Sequence, residues 1–592
     1  MDLINTIKIA SQGAIQALYK VTLPIEDILI NATKPEFEGD YTIVFFSISK
    51  KLGVSPMQAG ETVGNYFTSQ RADLFTEFNV IKGFLNLTIH ENYWIDFLQK
   101  NALSENFGIH PKNNRVVVLE YSSPNTNKPL HLGHLRNIFL GWSLAEILKT
   151  CGYTVFKTCV VNNRGIHICK SMIAWKLFAN GATPESTHTK GDHFVGEYYV
   201  KFNDAYKEQV NSLITSGKNN EEAENEAPIM LQARQMLLDW ENGEPEVMEL
   251  WNKMNSWVYA GFDATYQKTG SDFDKVYYES DTYILGKELV KDGLEKNIFY
   301  TKEDGSVWID LRPDGLDEKI VQRKDGTAVY ITQDIGLAVQ KFEQFGYEKS
   351  IYVVGNEQDY HFKVLKLICE RLSLPSSDGI YHLSYGMVEL PSGKMKSREG
   401  TVVDADDIIQ KMEEISQQKT EELGKVSDFN QEELKDLYEM IGMGALKFFL
   451  LRIDPKKRMI FNPEESIDFH GFTGPFMQYT YARICSILRK QGTEEEELKN
   501  KLPLEKLEKS LIIQAEHFPA ILQESADTMD PSKLAIYIFN LARTYNSFYA
   551  EHSIANAENN EKKIIRLKIS SLTAHIIQMG MKLLGIKVPS KM

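Results

Sequence analysis

The stretch from Arg115 to Trp142, RVVVLEYSSPNTNKPLHLGHLRNIFLGW, constrains the fold more than any other part of the chain. It reads as a buried strand, a polar turn and an amphipathic helix in immediate succession, which is the front end of a nucleotide-binding α/β unit. Arg115 to Tyr121 is short, apolar and rich in β-branched residues, as suits a strand covered on both faces. Pro129 has the fixed φ of a first helical turn, so a helix is expected to start there. Leu135, Ile138, Phe139, Trp142, Ala145 and Leu148 then repeat at helical spacing. His131 and His134, three apart, fall on one side of the first turn, with Gly133 between them where a side chain would obstruct a ligand. Unpaired N–H groups and the positive end of the helix dipole favour an anion at that point. Two imidazoles add donors for phosphate oxygens that gain charge in a transition state.

The chain has 592 residues, enough for about three to five domains and a large buried core. Its formal net charge of −15 argues against indiscriminate binding of nucleic acid over the whole surface. An RNA partner needs local basic patches, and Arg452, Lys456, Lys457 and Arg458 form one candidate, with Arg483, Arg489 and Lys490 another. Cys151, Cys159, Cys169, Cys369 and Cys485 contain no CxxC pair, so reduced thiols, a cytoplasmic location and no zinc or other structural metal are expected. The N-terminus lacks the pattern of a signal peptide, and no run of about 18 apolar residues suggests a membrane span.

The motif SSPN..KPLHLGH closely resembles the histidine signature of class I aminoacyl-tRNA synthetases, in the extended form carried by the arginyl-tRNA synthetase family. The resemblance covers nearly the whole chain. It implies a Rossmann-type α/β catalytic domain over 111–403 with an insertion at about 174–270. A small α+β N-terminal domain over 1–110 would precede it, where Gly39, Asp40, Tyr41, Lys50 and the Lys82 to Asn86 stretch match the family pattern and contact with tRNA is implied. A helical stem-contact linker over 404–460 and an α-helical anticodon-binding bundle over 461–592 would follow.

The implied reaction is ATP-dependent activation of L-arginine and its transfer to tRNA(Arg), with Mg2+ on the ATP phosphates and the enzyme acting as a monomer. His131, Gly133 and His134 would meet ATP, and Lys128 would join the catalytic set. The segment Lys394, Met395, Lys396, Ser397 and Arg398 stands where class I enzymes carry a mobile KMSKS loop, with its charges in a different order. Lys394, Lys396 and Arg398 are each able to draw off pyrophosphate. The resemblance puts Asn125 at the α-amino or carboxylate end of arginine, and Glu279, Tyr330, Asp334 and Gln358 around its side chain. A guanidinium presents five donors in a planar fork, and two carboxylates with a tyrosine and a glutamine supply acceptors for it. Asp334 is expected in the first turn of a helix that follows a short strand. Family members often carry an aspartate at or near Asn163, and here there is none. Gln478, Tyr479, Tyr481, Arg483, Asn546, Phe548 and Tyr549 are the candidates for stacking and hydrogen bonding with splayed anticodon bases. Two other classes stay open at this point. One is an RNA-binding protein that has lost catalysis, which the intact Lys128, His131, Gly133 and His134 oppose; the other is a small-substrate nucleotidyltransferase, which has no need of a long helical C-terminal region.

Overall fold

The computed structural model describes residues 3–34, 36–391, 403–422, 424, 429–492, 498 and 502–592. They form two compact units, one gathering 1–108, 483–520 and 540–577, the other 109–482, 521–539 and 578–592.

In the first unit a four-stranded antiparallel sheet has the spatial order Ile30–Ala32, Tyr41–Val44, Phe84–Ile89, Phe75–Ile81. Asp40 and Tyr41, at the head of the second strand, are tied to a helix distant in sequence, Lys506–Glu516. The Asp40 carboxylate meets the Lys509 ammonium at 2.8 Å, and the Tyr41 hydroxyl donates to the Glu516 carboxylate at 2.9 Å. Glu508 on the same helix is fully buried, 2.6 Å from the Lys562 ammonium and 2.9 Å from Arg566 Nε.

The second unit is built on five parallel strands. The chain runs β1 (Val116–Glu120), α1 (Leu132–Thr150), β2 (Thr154–Val161), α2 (Ile166–Phe178), β3 (Lys275–Tyr278), α3 (Tyr330–Phe345), β4 (Lys349–Gly355), α4 (Asp359–Arg371) and β5 (Ile380–Tyr385). The spatial order is β5-β4-β1-β2-β3, so the sequence steps outward in one direction from β1 and then restarts beside it at β4. Such a reversal opens a crevice beyond the carboxyl ends of the strands, where ligands of open α/β sheets bind. Between α2 and β3 the chain leaves the sheet for three long helices, Gly191–Thr215, Pro228–Glu241 and Pro245–Thr269. Between β3 and α3 it forms a small antiparallel sheet from Phe299–Thr301, Val307–Ile309 and Lys319–Gln322. Among the described residues no helix is long and apolar enough to cross a membrane.

Two local expectations are corrected, and a third is filled in. The helix α1 begins at Leu132 and not at Pro129, because the His131 side chain accepts a helix N–H and makes His131 the N-cap. The residues ahead of Asp334 are helical from Tyr330 on, with no strand, so Asp334 lies in the second turn of α3. A Cβ on Gly133 would press on the His131 ring, 3.0 Å from its Cε1 and 3.1 Å from its Nδ1, so this glycine protects the imidazole.

Candidate active site

The turn that joins β1 to α1 is held open by two serines in the left-handed region, Ser122 at φ 69° and Ser123 at φ 45°. Non-glycine residues keep that conformation only when their surroundings over-determine it. Here the Ser122 N–H donates to Asn137 Oδ1 on α1 at 2.5 Å, and the Asn137 amide donates onward to the Val353 carbonyl of β4 at 2.6 Å. Ser123 Oγ donates to Glu120 at 3.1 Å and accepts from the Val160 N–H of β2 at 3.1 Å. Glu120 in turn is paired with the fully buried Lys341 of α3. The turn thereby presents Asn125, exposed, in a parallel bridge with Asn162 at the end of β2.

The two histidines at the mouth of α1 form a reciprocal cap. His131 Nδ1 accepts from the Gly133 N–H at 3.1 Å, and His134 Nδ1 accepts from the His131 N–H at 3.1 Å. With both Nδ1 lone pairs committed, each ring carries its proton on Nε2. Burial, and then the neighbouring Lys128 charge, push the His131 pKa down to about 3 against a smaller opposing effect of Asp404. Burial, His131 and Lys128 hold His134 well below the ordinary histidine value. The rings lie 3.8 Å apart between centroids, a pair of neutral imidazoles. The first N–H groups of the helix are therefore taken up by His131 and by the Val403 carbonyl, and what the mouth of α1 offers an anion is imidazole Nε2–H. Lys128 is half-buried beside them, its pKa lowered by burial. It lines a cavity of about 240 Å3 together with His131, His193, Glu197, Tyr199 and Asp404.

The expected phosphate-handling loop, Lys394, Met395, Lys396, Ser397 and Arg398, lies outside the described residues. The chain on both flanks of it is fastened to α1. On the far side the Leu132 N–H donates to the Val403 carbonyl at 3.2 Å and the Ala405 N–H to the Leu130 carbonyl at 3.0 Å. On the near side the fully buried Arg136 guanidinium donates to the carbonyls of Gly386 at 2.5 Å, Lys457 at 2.9 Å and Pro455 at 3.2 Å. The insertion is fastened to the same region by charge. Lys190 Nζ lies 2.6 Å from Asp406 and 3.2 Å from Asp192, while His193 Nε2 lies 3.0 Å from Asp406 and 3.3 Å from Asp404. Hydrogen bonds to Asp404 and Asp406 raise the His193 pKa to about 10 against a smaller desolvation effect. Asp192, His193 and Asp406 have the donor atoms of a metal group, but an ammonium already stands among them.

Along the carboxyl edge of the sheet the structure brings the acidic residues together. Glu279 follows directly on β3 and is 9% exposed. Burial raises its pKa to about 7, Arg164 opposes that, and Asp334 adds to it, so the two carboxylates lie within electrostatic reach of each other. Asp334 and Tyr330, one turn apart on α3, share a face. Tyr330 is 69% exposed. Asp334 accepts from His361 Nε2 at 2.7 Å, a partner that the sequence did not single out. Gln358 is exposed in the single 3-10 turn after β4.

The expected RNA contacts separate into two kinds. Gln478 is corrected: its side chain is fully buried and donates to the Met440 carbonyl at 3.0 Å and the Lys587 carbonyl at 2.8 Å, so it serves the core and has no surface to offer a base. Phe548 is likewise fully buried, Tyr481 nearly so, and Tyr479 packs on Phe469 with ring centroids 6.5 Å apart. Arg452 turns inward, donating to the Phe472 carbonyl with its guanidinium 4.1 Å from the Phe449 ring. Lys456, Lys457 and Arg458 are exposed. Arg483 donates to Asn546 and lies 5.3 Å from the ring of Tyr549, which is 42% exposed.

Comparison with known proteins bears on this geometry. Residues 98–462 match the family model of the class I (R) tRNA synthetase catalytic domain, and residues 477–592 match that of the DALR anticodon binding domain. An arginine–tRNA ligase of Amoebophilus asiaticus is 49% identical over 597 residues, covering 100% of both chains. One of Flavobacterium psychrophilum is 50% identical over 605 residues, again with 100% of each covered. The Thermus thermophilus arginyl-tRNA synthetase structure shares the fold with a TM-score of 0.81 at 22% identity, covering 100% of each chain.

Proposed function

The chain belongs to the class I arginyl-tRNA synthetases, and we propose that it ligates arginine to tRNA(Arg) with the residues along the carboxyl edge of the sheet. Glu279 and Asp334 take the substrate guanidinium, with Tyr330 and Gln358 completing its acceptors and Asn125 meeting the α-amino or carboxylate end. A neutral side chain would leave the buried Glu279 carboxylate and the half-buried Asp334 carboxylate without a countercharge, which is how such a pocket excludes competitors.

ATP lies with its phosphates toward His131 and His134. The arginine carboxylate oxygen attacks the α-phosphorus, the bond to the bridging oxygen breaks, and pyrophosphate leaves with the electron pair. Both imidazoles are neutral and present Nε2–H, so they donate to the phosphate oxygens as charge builds without needing to change protonation. Lys128 and the basic residues Lys394, Lys396 and Arg398 offset the charge of the departing pyrophosphate. Glu197 and Asp404, in the cavity beside His131, have the oxygen donors that would hold a hard cation such as Mg2+, which would supply further charge neutralisation on the nucleotide phosphates. In the second step the 2′-hydroxyl of the terminal adenosine attacks the arginyl carbonyl carbon, and AMP leaves.

Lys456, Lys457, Arg458, Arg483 and Tyr549 are the residues with exposed or half-exposed groups suited to RNA phosphates and bases. All five cysteines are free thiols, which suits a reducing cytoplasm. The observation that carries this reading is the buried Glu279 beside Asp334, both on the strand-end edge that also bears the histidine pair. Pyrophosphate exchange with each amino acid, with and without tRNA, tests it. Exchange is expected with arginine, and exchange with another amino acid and none with arginine overturns the reading.

A further inference from the structure

Glu279 begins a four-residue helix, Glu279–Thr282, that has no side-chain cap of its own. A helix this short does not hold itself together, and its first N–H groups have no partner within it. The partner comes from the turn after β2. Asn163 is 1% exposed, and its Oδ1 accepts from the Ser280 N–H at 2.9 Å while its Nδ2 donates to Ser280 Oγ at 3.0 Å. The same Nδ2 donates to the Tyr259 hydroxyl at 2.8 Å, and the Asn163 carbonyl accepts from Trp251 Nε1 at 2.7 Å. One amide therefore grips the residue next to Glu279 at both its backbone and its hydroxyl, and is itself braced by the Pro245–Thr269 helix.

Arg164 acts at the other end of that short helix. Its guanidinium lies 4.0 Å from the ring of Tyr283, whose N–H donates to the Glu279 carbonyl at 2.9 Å, and 5.1 Å from the ring of Trp240. Its ion pair is with Glu241 at 2.9 Å, and among the described residues none closes an ion pair on the Glu279 carboxylate. The carboxylate is thus near a fixed cation yet left open to a mobile one.

We propose that Asn163 and Arg164 are positioning residues for arginine: Asn163 sets the short helix that carries Glu279, and Arg164 holds a positive charge against it. This rests on Glu279 being the guanidinium partner. Asparagine suits the position better than aspartate, since it gives Ser280 the same acceptor without a further buried negative charge near Glu279 and Asp334. The groups facing Glu279 through charge are Arg164 and Asp334, and Arg164 favours its ionised form.

The test uses the full-length enzyme in aminoacylation assays across pH 6 to 9, with Asn163→Ala, Asn163→Asp and Arg164→Gln beside Glu279→Gln as reference. Asn163→Ala is expected to raise KM for arginine about tenfold or more with KM for ATP unchanged. Asn163→Asp keeps the grip on Ser280 but is expected to move the rising limb of kcat/KM for arginine up by roughly one pH unit, and Arg164→Gln to do the same. These two variants keep the proposal exposed to refutation if Asn163→Ala does not fold. A rise in KM for arginine in Glu279→Gln alone, with the other three unchanged in KM and pH profile, overturns the positioning role. An equal rise in KM for ATP overturns it too, as a general loss of structure. No change in Glu279→Gln overturns the pocket reading itself and the inference with it.

Discussion

The ionisation of Glu279 gives the most direct handle on the arginine pocket. The residue is 9% exposed, and burial, helped by Asp334 and opposed by Arg164, pushes its pKa up to about 7. Only the ionised form offers a guanidinium a full countercharge, so arginine capture is expected to strengthen as pH rises through 7. A single group with that value is ~9% ionised at pH 6 and ~91% at pH 8, which predicts a rise of ~10-fold in kcat/KM for arginine between them. His131 and His134 stay neutral over this window, so they add no slope of their own. The assay is initial-rate aminoacylation at arginine concentrations well below KM, with tRNA and ATP saturating. Glu279→Gln keeps the shape and removes the charge. Breaking one side of a buried charged pair costs about 3–5 kcal/mol, and Asp334 remains, so the lower end applies and kcat/KM for arginine at pH 8 is expected to fall roughly 100-fold. The variant's profile between pH 6 and 8 should be flat. A flat profile in the unmodified enzyme, or a tenfold slope that survives Glu279→Gln, refutes the assignment of this titration to arginine capture.

Gly133→Ala brings a methyl 3.0 Å from His131 Cε1, so the ring must shift by a few tenths of an ångström. The rate of pyrophosphate exchange is expected to drop ~10-fold with KM for arginine unchanged, and an unaltered rate would count against the histidine mechanism. Glu508→Ala leaves Lys562 and Arg566 without their buried partner and is expected to destabilise its unit by about 3–5 kcal/mol, read as an earlier urea transition. His193 has its pKa raised to about 10, so its contribution to stability is complete below its ordinary value near 6.5 and is lost as pH rises toward 10. The melting temperature should therefore fall over the alkaline range, and His193→Gln should flatten that decline.

The histidine mouth was legible in the chain because its logic is local. Residues three apart in a first turn meet whatever the rest of the fold does, and SSPN..KPLHLGH carries them together. At Gly133 spacing shows that a glycine is wanted, but not that the His131 ring is what a side chain there would meet. Helix signals in the C-terminal region were also clear, yet periodicity cannot tell an amide facing RNA from one facing the core, and Gln478 proved to be the latter. Asn163 carried a faint signal, as the position where an aspartate is common in similar sequences, but nothing in its neighbourhood pointed to Ser280, 117 residues on.

By itself the sequence determined the type of elements, their alternation and the chemistry available at each strand end, because propensity, spacing and side-chain identity are properties of short stretches. Tertiary structure decided which of those ends share a pocket. The pairing of β4 with β1 and of β3 with β2 aligns residues from five separate stretches on one edge, and burial there lifts Glu279 toward neutrality while holding the imidazoles uncharged. Desolvation and long-range charge are properties of the packed molecule, and they exist only once distant segments have excluded water from one another.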